Sequence, residues 1–453
     1  MIVVAALAAS VWFQLFGIPE LLDVFTRPRV DVDVYRLGAA TWRAGVPLYA
    51  NGSMPFTASG LWLPFTYPPF AALVFLPLSF IGPATSGLAI TAVSIACLAT
   101  VSAILVRTLQ IGGRRDRVWV VMAMTTLGIW LNPVWTTLGF GQFNIVLMTL
   151  VMVDLFVIPS GRRGVLIGIA AAIKLTPLAF VLCLAIRGER RAAVTGLVAF
   201  VTAGLVAAAW APDDTVRYWT STLTDSGRIG DQTGPLDQNI FGFWIRLIGP
   251  GTTMHALWAI CAAAVTVLAL VAIRRIVTRG DMTVGALPSA RTTTGDLAAR
   301  HLAARHLAAR HLAARHLATV HTMAVTAIWA ILVCPTSWAH HWVWVVPALT
   351  ATAVTSVRAG SRRVAHIYGW LSVAGLVVFA AGAYQLLPHE GRDWSLLETP
   401  VGNAYLIWGV AFLVISACVD ATSGGRSHAD RAGSADRAGV ATQAAGFDLD
   451  PSV

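Results

Sequence analysis

Two carboxylates, Asp31 and Asp33, open the first polar segment of the chain, and Tyr35 follows Asp31 at a spacing of four. A carboxylate at the edge of an apolar run can act as a base and take the proton of an attacking hydroxyl. Other groups of matching chemistry follow. Gln142 and Asn144 lie in the turn Gly139-Phe140-Gly141-Gln142-Phe143-Asn144, and Lys174 opens Lys174-Leu175-Thr176-Pro177. Arg228, Asp237, Gln238, Asn239 and Trp244 share one long polar stretch, and His340 and His341 sit in Trp338-Ala339-His340-His341-Trp342. Cations and hydrogen-bond donors can meet the charge that grows on a departing phosphate. Aromatic rings such as Tyr67 and Trp338 can stack on the apolar faces of sugars. Transfer of a sugar from a lipid phosphate to a hydroxyl needs this set.

Each group also has a plainer role. Asp31 or Asp33 could cap a helix, and the Gln142 and Asn144 amides could satisfy backbone at a helical hairpin. The tryptophans could form an interfacial belt. Adjacent histidines on a helix point about 100° apart, which is poor geometry for one metal ion but suits phosphate contact plus packing. Lys174 resists such a reading, because a lysine deep in an apolar segment is costly unless it is paired or functional.

The elements that must position these groups are membrane helices. The 453 residues are 57% hydrophobic and 12% charged, with a mean hydropathy of +0.70; soluble domains carry roughly 25% charged residues. Apolar runs near twenty residues recur, enough to cross about 30 Å of hydrocarbon. The net charge of +10 does not point to nucleic acid, since Lys and Arg gather in short loops between apolar runs, as the positive-inside bias requires. Cys97, Cys183, Cys261, Cys334 and Cys418 show no ligand-like spacing and are expected to be small packing residues.

The basic loops set the topology. Arg107–Arg117, Arg162-Arg163, Arg187–Arg191, Arg274–Arg315 and Arg358–Arg363 are expected to be cytosolic. Residues 18–66, 139–142, 211–253, 336–340 and 388–402 then lie outside. Full spans are expected at 2–17, 85–106, 118–138, 143–158, 192–210, 254–276, 319–335, 341–357, 364–387 and 403–420. Met1–Phe16 has no basic residue ahead of it and is expected to be the first span rather than a signal. Between Arg163 and Arg187 the chain is too short for two crossings. Pro177 disfavours helix at Thr176, so a broken pair with Lys174 near the midplane is expected, buried in protein or lining a watery cavity. Pro68–Phe80 is expected to form a re-entrant or interfacial helix begun by Pro68-Pro69.

Two segments are set apart. Residues 296–318 repeat His-Leu-Ala-Ala-Arg, with histidines at 301, 306, 311 and 316. Five residues turn a helix by about 500°, so these side chains form no stripe, and none has the i, i+4 spacing of a helical zinc site. Residues 277–318 therefore read as a repeat-expanded basic cytosolic loop. The tail, 421–453, is too poor in apolar residues to fold and is expected to be disordered and cytosolic, leaving 1–420 as the transmembrane domain.

The chain resembles the actinobacterial polyprenol-phosphate-mannose-dependent α-1,2-mannosyltransferases of GT-C architecture, which build phosphatidylinositol mannosides and lipomannan. The resemblance runs from about Val30 to Ala417. It rests on Asp31 with Tyr35, on Phe65-Thr66-Tyr67-Pro68-Pro69-Phe70, on Gly141-Gln142-Phe143-Asn144, on Lys174-Leu175-Thr176-Pro177 and on Trp338-Ala339-His340-His341-Trp342-Val343-Trp344. It implies an all-α polytopic protein of about ten to twelve transmembrane helices, multi-pass in the plasma membrane with its site outside. It implies Asp31 as the base, with Asp33 as second candidate, and mannose transfer with inversion to a mannosylated glycolipid. His340, ahead of His341, is expected to face the donor phosphate, together with Lys174, Tyr35, Gln142 and Asn144. Tyr67, Gln238, Asn239 and Trp338 are expected to contact the acceptor. Family members often carry Asn-Gln-Ser where this chain has Asp237-Gln238-Asn239, which puts the acceptor contacts in question.

No metal or cofactor is expected; the partners are polyprenyl-phosphate-mannose, the glycolipid acceptor and membrane lipids, with no nucleic acid. Two alternatives stand beside this reading. One is an arabinofuranosyltransferase using decaprenyl-phosphate-arabinose. The other is a lipid-linked sugar transporter or flippase, which the lack of repeated halves disfavours.

Overall fold

The computed structural model describes residues 1–17, 29–285, 297–387 and 394–419. The expected disordered tail lies outside them. Among the described residues the chain is helical, and its extended pairing is limited to one isolated antiparallel bridge, Asp237 with Trp338. Among the described residues five helices are long and apolar enough to cross a membrane: Pro83–Thr108, Arg190–Trp210, Thr252–Thr278, His311–Val333 and Arg362–Ala381. On the Arg190–Trp210 helix, Val194, Leu197, Val198, Val201 and Leu205 are all exposed, a patch that hydrocarbon tolerates and water would not. This is an all-α membrane protein.

The other apolar helices are less regular than the apolar runs suggest. Ile2–Phe16, Asn144–Phe156 and Ala404–Cys418 are apolar but shorter. The run expected as one span at 118–138 is two helices, Arg117–Trp130 and Asn132–Phe140, bent by 73°. Pro133 explains the bend, since its ring removes a donor and clashes with the carbonyl one turn back. The span expected at 341–357 begins as a tight 3-10 segment, Ala339–Trp344, before the Val345–Arg358 helix.

The chain breaks at Lys174, where the Pro177 spacing predicts it. Val165–Ile173 and Leu178–Ile186 are nine residues each, and Lys174 between them is extended at φ −147° and ψ 128°. Pro69–Val74, with proline in its first turn, and a 3-10 segment Leu76–Phe80 form the short element expected after Tyr67.

The histidine repeat needs a correction. Residues 297–318 are not a loop but the first part of one continuous helix, Leu297–Val333. Ala, Leu and Arg are among the strongest helix formers and the repeat holds no Gly or Pro, so helix propagates through it.

Among the described residues the core has two main parts and a small third cluster of Phe241, Ile245 and Met254. The larger joins the Pro83–Thr108, Asn144–Phe156, Leu297–Val333 and Ala404–Cys418 helices. The smaller packs Tyr35, Leu37, Phe65, Phe75, Leu147 and Ile173 beneath the Val30–Arg43 helix. The second core seats the residues discussed next.

Candidate active site

Asp31 and Asp33 lie in the first turn of the Val30–Arg43 helix, and neither caps it; the N-cap position is Arg29. Two residues on a helix point about 200° apart, whereas four apart share a face. Asp31 and Tyr35 therefore look one way and Asp33 the other. The Gln142 amide donates from Nε2 to Asp31 Oδ2 at 2.8 Å. Its Oε1 accepts from the hydroxyls of Tyr35 at 3.0 Å and Tyr67 at 3.3 Å, and those hydroxyls are 3.1 Å apart. Tyr35 is fully buried and stacks on Phe75 at 4.3 Å. Both ends of the Gln142 amide are thus fixed, and with them the orientation of Asp31.

Gly141 makes this turn possible. It ends the Asn132–Phe140 helix in the left-handed conformation at φ 71°, and a Cβ there would lie 2.1 Å from Val32 Cγ2. Only glycine allows both the turn and the close approach of the Asp31 helix.

The cationic side of the cluster is built on the helix break. Lys174 Nζ donates to Asn144 Oδ1 at 2.9 Å and lies 2.9 Å from His341 Nε2; it also sits 5.7 Å from the centre of the Tyr67 ring. Asn144 Nδ2 and the Thr137 hydroxyl both donate to the His340 carbonyl, at 2.9 and 2.8 Å. His341 Nδ1 accepts from the Trp338 backbone N–H at 3.2 Å. A cavity of about 30 Å³ lies beside Asn144, Thr176, Ser337 and His341, large enough for one water.

Burial pushes the Asp31 carboxyl up to about 6, while the Gln142 bond and the Lys174 charge hold it down. The result is a carboxylate that is ionised at neutral pH yet more basic than a free one, as a general base should be.

The broken pair is anchored at its other end. Asp154, at the far end of the helix that begins at Asn144, accepts from the backbone N–H groups of Gly164, Leu166 and Ile167. These are the unpaired donors of the Val165–Ile173 helix. The two antiparallel helices are therefore tied at both ends, by Asp154 and by Asn144 with Lys174.

Other expected site residues sit elsewhere. Asp33 is buried and pairs with Arg36 Nε at 2.8 Å and with the Ala58 backbone N–H at 2.6 Å, which fastens the loop after the helix. Gln238 and Asn239 are fully buried. Gln238 Nε2 donates to the carbonyls of Pro235 and Gly402, and Asn239 Oδ1 caps the Ile240–Ile248 helix through Gly242. They bind their own chain rather than facing an acceptor. Tyr67, expected on the acceptor side, stands inside the Gln142 and Lys174 cluster. Of the two histidines, His341 brings its ring to Lys174, whereas His340 enters through its carbonyl and stacks its ring near Trp338 at 6.3 Å.

Residues 65–291 match glycosyltransferase family 87. Over 428 residues the chain is 32% identical to the polyprenol-phosphate-mannose-dependent α-(1-2)-phosphatidylinositol mannoside mannosyltransferase of Mycobacterium tuberculosis, covering 91% of this chain and 88% of that protein. The chain belongs to glycosyltransferase family 87. The protein of the same description from Mycolicibacterium smegmatis is 34% identical over 88% of this chain and 85% of its own. A polyprenol-phosphate-mannose-dependent α-(1-2)-phosphatidylinositol pentamannoside mannosyltransferase of Mycobacterium tuberculosis is 28% identical over 85% of this chain and 80% of its own. No solved structure matches.

Several residues of this glycosyltransferase escaped the reading of its sequence. Asp154 carried a signal, being a lone acid in an apolar run, where an ionisable group is costly without partners. Arg246 carried the same signal within Ile240–Ile248. It donates to the carbonyls of Gly234 and Asp237 and to Asn403 Oδ1. Thr137 gave none, because a hydroxyl in an apolar helix usually bonds its own backbone.

Proposed function

We propose that this family 87 enzyme is a GT-C-type protein of ten to twelve crossings in the plasma membrane, with the Asp31 cluster on the extracytoplasmic face. It transfers mannose from polyprenyl-phosphate-mannose to a hydroxyl of a mannosylated glycolipid, such as a phosphatidylinositol mannoside, lipomannan or lipoarabinomannan. The product is an α-1,2 linkage formed with inversion. The observation that carries this reading is the bonded series Asp31–Gln142–Tyr67 with Lys174 and His341 beside it. A base and a cationic corner share one cluster, flanked by buried aromatics. The relatives' use of polyprenol-phosphate-mannose supports the choice of donor.

In this mechanism Asp31 takes the proton of the acceptor hydroxyl as its oxygen attacks the anomeric carbon. The bond from that carbon to the phosphate oxygen breaks, and polyprenyl phosphate leaves with the electron pair. Lys174 and His341 meet the charge that develops on the phosphate. Gln142, held by Tyr35 and Tyr67, keeps the carboxylate aimed at the acceptor. Asn144 positions Lys174.

Purified protein in lipid, given radiolabelled polyprenyl-phosphate-mannose and mixed phosphatidylinositol mannosides, tests this directly. The expected product is a labelled glycolipid whose new mannose an α-1,2-mannosidase releases. Label moved only from decaprenyl-phosphate-arabinose would reassign the sugar. Lipid donor crossing a vesicle bilayer without a new linkage would overturn the enzyme reading.

A further inference from the structure

A second cavity, of about 650 Å³, lies apart from the Asp31 cluster and borders none of its residues. That volume is in the range of about 300–1,000 Å³ typical of ligand sites. One wall is a single face of the Val345–Arg358 helix, from Val346 through Leu349 and Ala353 to Arg358. The twelve helical rises from Val346 to Arg358 make this wall about 18 Å long. Met124 of Arg117–Trp130 and Leu376 of Arg362–Ala381 stand on the facing walls.

The hydroxyls of the groove are turned inward on the protein. Thr350 donates to the Val346 carbonyl, and Ser372 to the Tyr368 carbonyl and the Thr352 hydroxyl. The groove is therefore apolar along its length and cationic at one end only. There Arg358 donates to the Leu109 carbonyl, which holds it at the mouth beside Gln110 and Gly112. The same connection continues into Arg114, Arg115 and Arg117. At the opposite end, Leu131 and Val346 offer no group for a charged head.

We infer that this groove binds an anionic phospholipid of the cytosolic leaflet, with an acyl chain along Val346–Val357 and its phosphate at Arg358. Charge complementarity selects the occupant. Basic pockets between transmembrane helices on the cytosolic side favour anionic lipid heads, and a long apolar slot with one charged end fixes which way the lipid lies. Neither Lys174 nor His341 lines the groove, so a donor whose phosphate met them would not seat its charge in it. The inference takes the word cytosolic from the proposed topology and is independent of the proposed reaction.

The test uses the full-length protein taken from bilayers of equimolar phosphatidylglycerol and phosphatidylcholine. Lipids retained on the protein are counted by native mass spectrometry. The expected result is retention of phosphatidylglycerol several-fold above phosphatidylcholine. Arg358→Gln should abolish that preference, and Ala353→Trp, placing a ring in the exposed slot, should remove the retained lipid altogether. Thermal unfolding in each lipid checks that both variants fold. Equal retention of the two lipids by the unaltered protein would overturn the proposal, as would phosphatidylglycerol retention unchanged in both variants. In a second preparation with polyprenyl phosphate added to the same bilayers, its preferential retention over phosphatidylglycerol would give the groove to the donor's tail and also overturn it. Asp31→Asn should keep its lipid, so a failure of the proposed chemistry is seen separately.

Discussion

Two buried polar networks face each other across the 334–341 segment, and they use their hydrogen bonds in opposite ways. The Asp31 network joins its reactive groups side chain to side chain, carboxylate to amide, amide to two phenols, lysine to asparagine and histidine, and reaches backbone only at its edges through Asn144, Thr137, Tyr35 and His341. The Asp237–Arg246 network joins side chain mainly to backbone, with Asn239 and Asn403 as its side-chain partners. Asp237 Oδ1 accepts from the Ser337 N–H, and Arg246 clamps the carbonyls of Gly234 and Asp237. The first leaves a base and a cation as reactive groups. The second ties the 234–239 loop to the 334–339 segment and to Asn403. A buried charge that spends its bonds on backbone is holding the chain in place; one that spends them on other side chains is being aimed.

The largest effect should separate the two networks. Asp31→Asn keeps the shape of the carboxylate and a partner for Gln142 but removes the base. Transfer should fall by about 10²–10⁴-fold, the typical worth of a positioned acid or base, with unfolding unchanged. Arg246→Met should do the reverse. It strands buried carbonyls, and each unpaired acceptor costs about 1–3 kcal/mol, so unfolding comes early while the folded fraction keeps near-normal turnover. If Arg246→Met kills turnover without loss of stability, the distinction between the networks fails.

Lys174→Met should lower kcat by about 10²–10³-fold, the cost of removing one donor from a developing anion. The loss should sit in kcat more than in KM. A rise in KM alone would mean that Lys174 binds the donor's phosphate equally in ground and transition states.

The two carboxylates also separate by pH. Burial sets Asp31 near 6, and the deprotonated form is the base, so kcat/KM should fall tenfold per pH unit below about 6. Burial pushes Asp237 up to about 7, against the Ser337 N–H, the Arg246 charge and the Asn239 amide. Its folded state then binds the proton more tightly than the unfolded state, whose value is near 3.8. The stability this group contributes is fully present below pH 4 and is lost as pH rises to about 7. Unfolding midpoints measured across this window should fall with pH in the unaltered protein and flatten in Asp237→Asn. An acid limb of kcat/KM that moves in Asp237→Asn would show that the networks are coupled.

Much of the site was legible because it depends on short spacings. The four-residue step from Asp31 to Tyr35 is one helical turn, Lys174 announces itself by its cost in an apolar run, and Pro177 marks the break. What stayed hidden depends on long-range partners. Nothing local shows that Gln142 reaches back to Asp31, or that Gln238 spends its amide on Gly402. The choice between His340 and His341 turns on a 3-10 segment that apolar periodicity does not reveal. Pro133 could have warned of the 73° bend, yet the apolar run passes through it unbroken. The charge of the histidine repeat points to a loop, while the helix propensity of its Ala, Leu and Arg carries the Leu297–Val333 helix through it.

The smallest expected effect is the sharpest test of orientation. Asp33 is two residues from Asp31 and is the same residue type, so their placement on the helix is what tells them apart. Its oxygens hold Arg36 and the Ala58 N–H. The ion pair is partly exposed and worth about 0–1 kcal/mol, and one hydrogen bond adds about 1 kcal/mol. Asp33→Asn should therefore cost a modest amount of stability and loosen the loop that follows the helix. KM for the glycolipid should rise before kcat changes, and transfer should stay within tenfold of normal. A folded Asp33→Asn protein with no transfer, beside an active Asp31→Asn protein, would turn the helix by half a revolution relative to the reaction and assign the base to the other face.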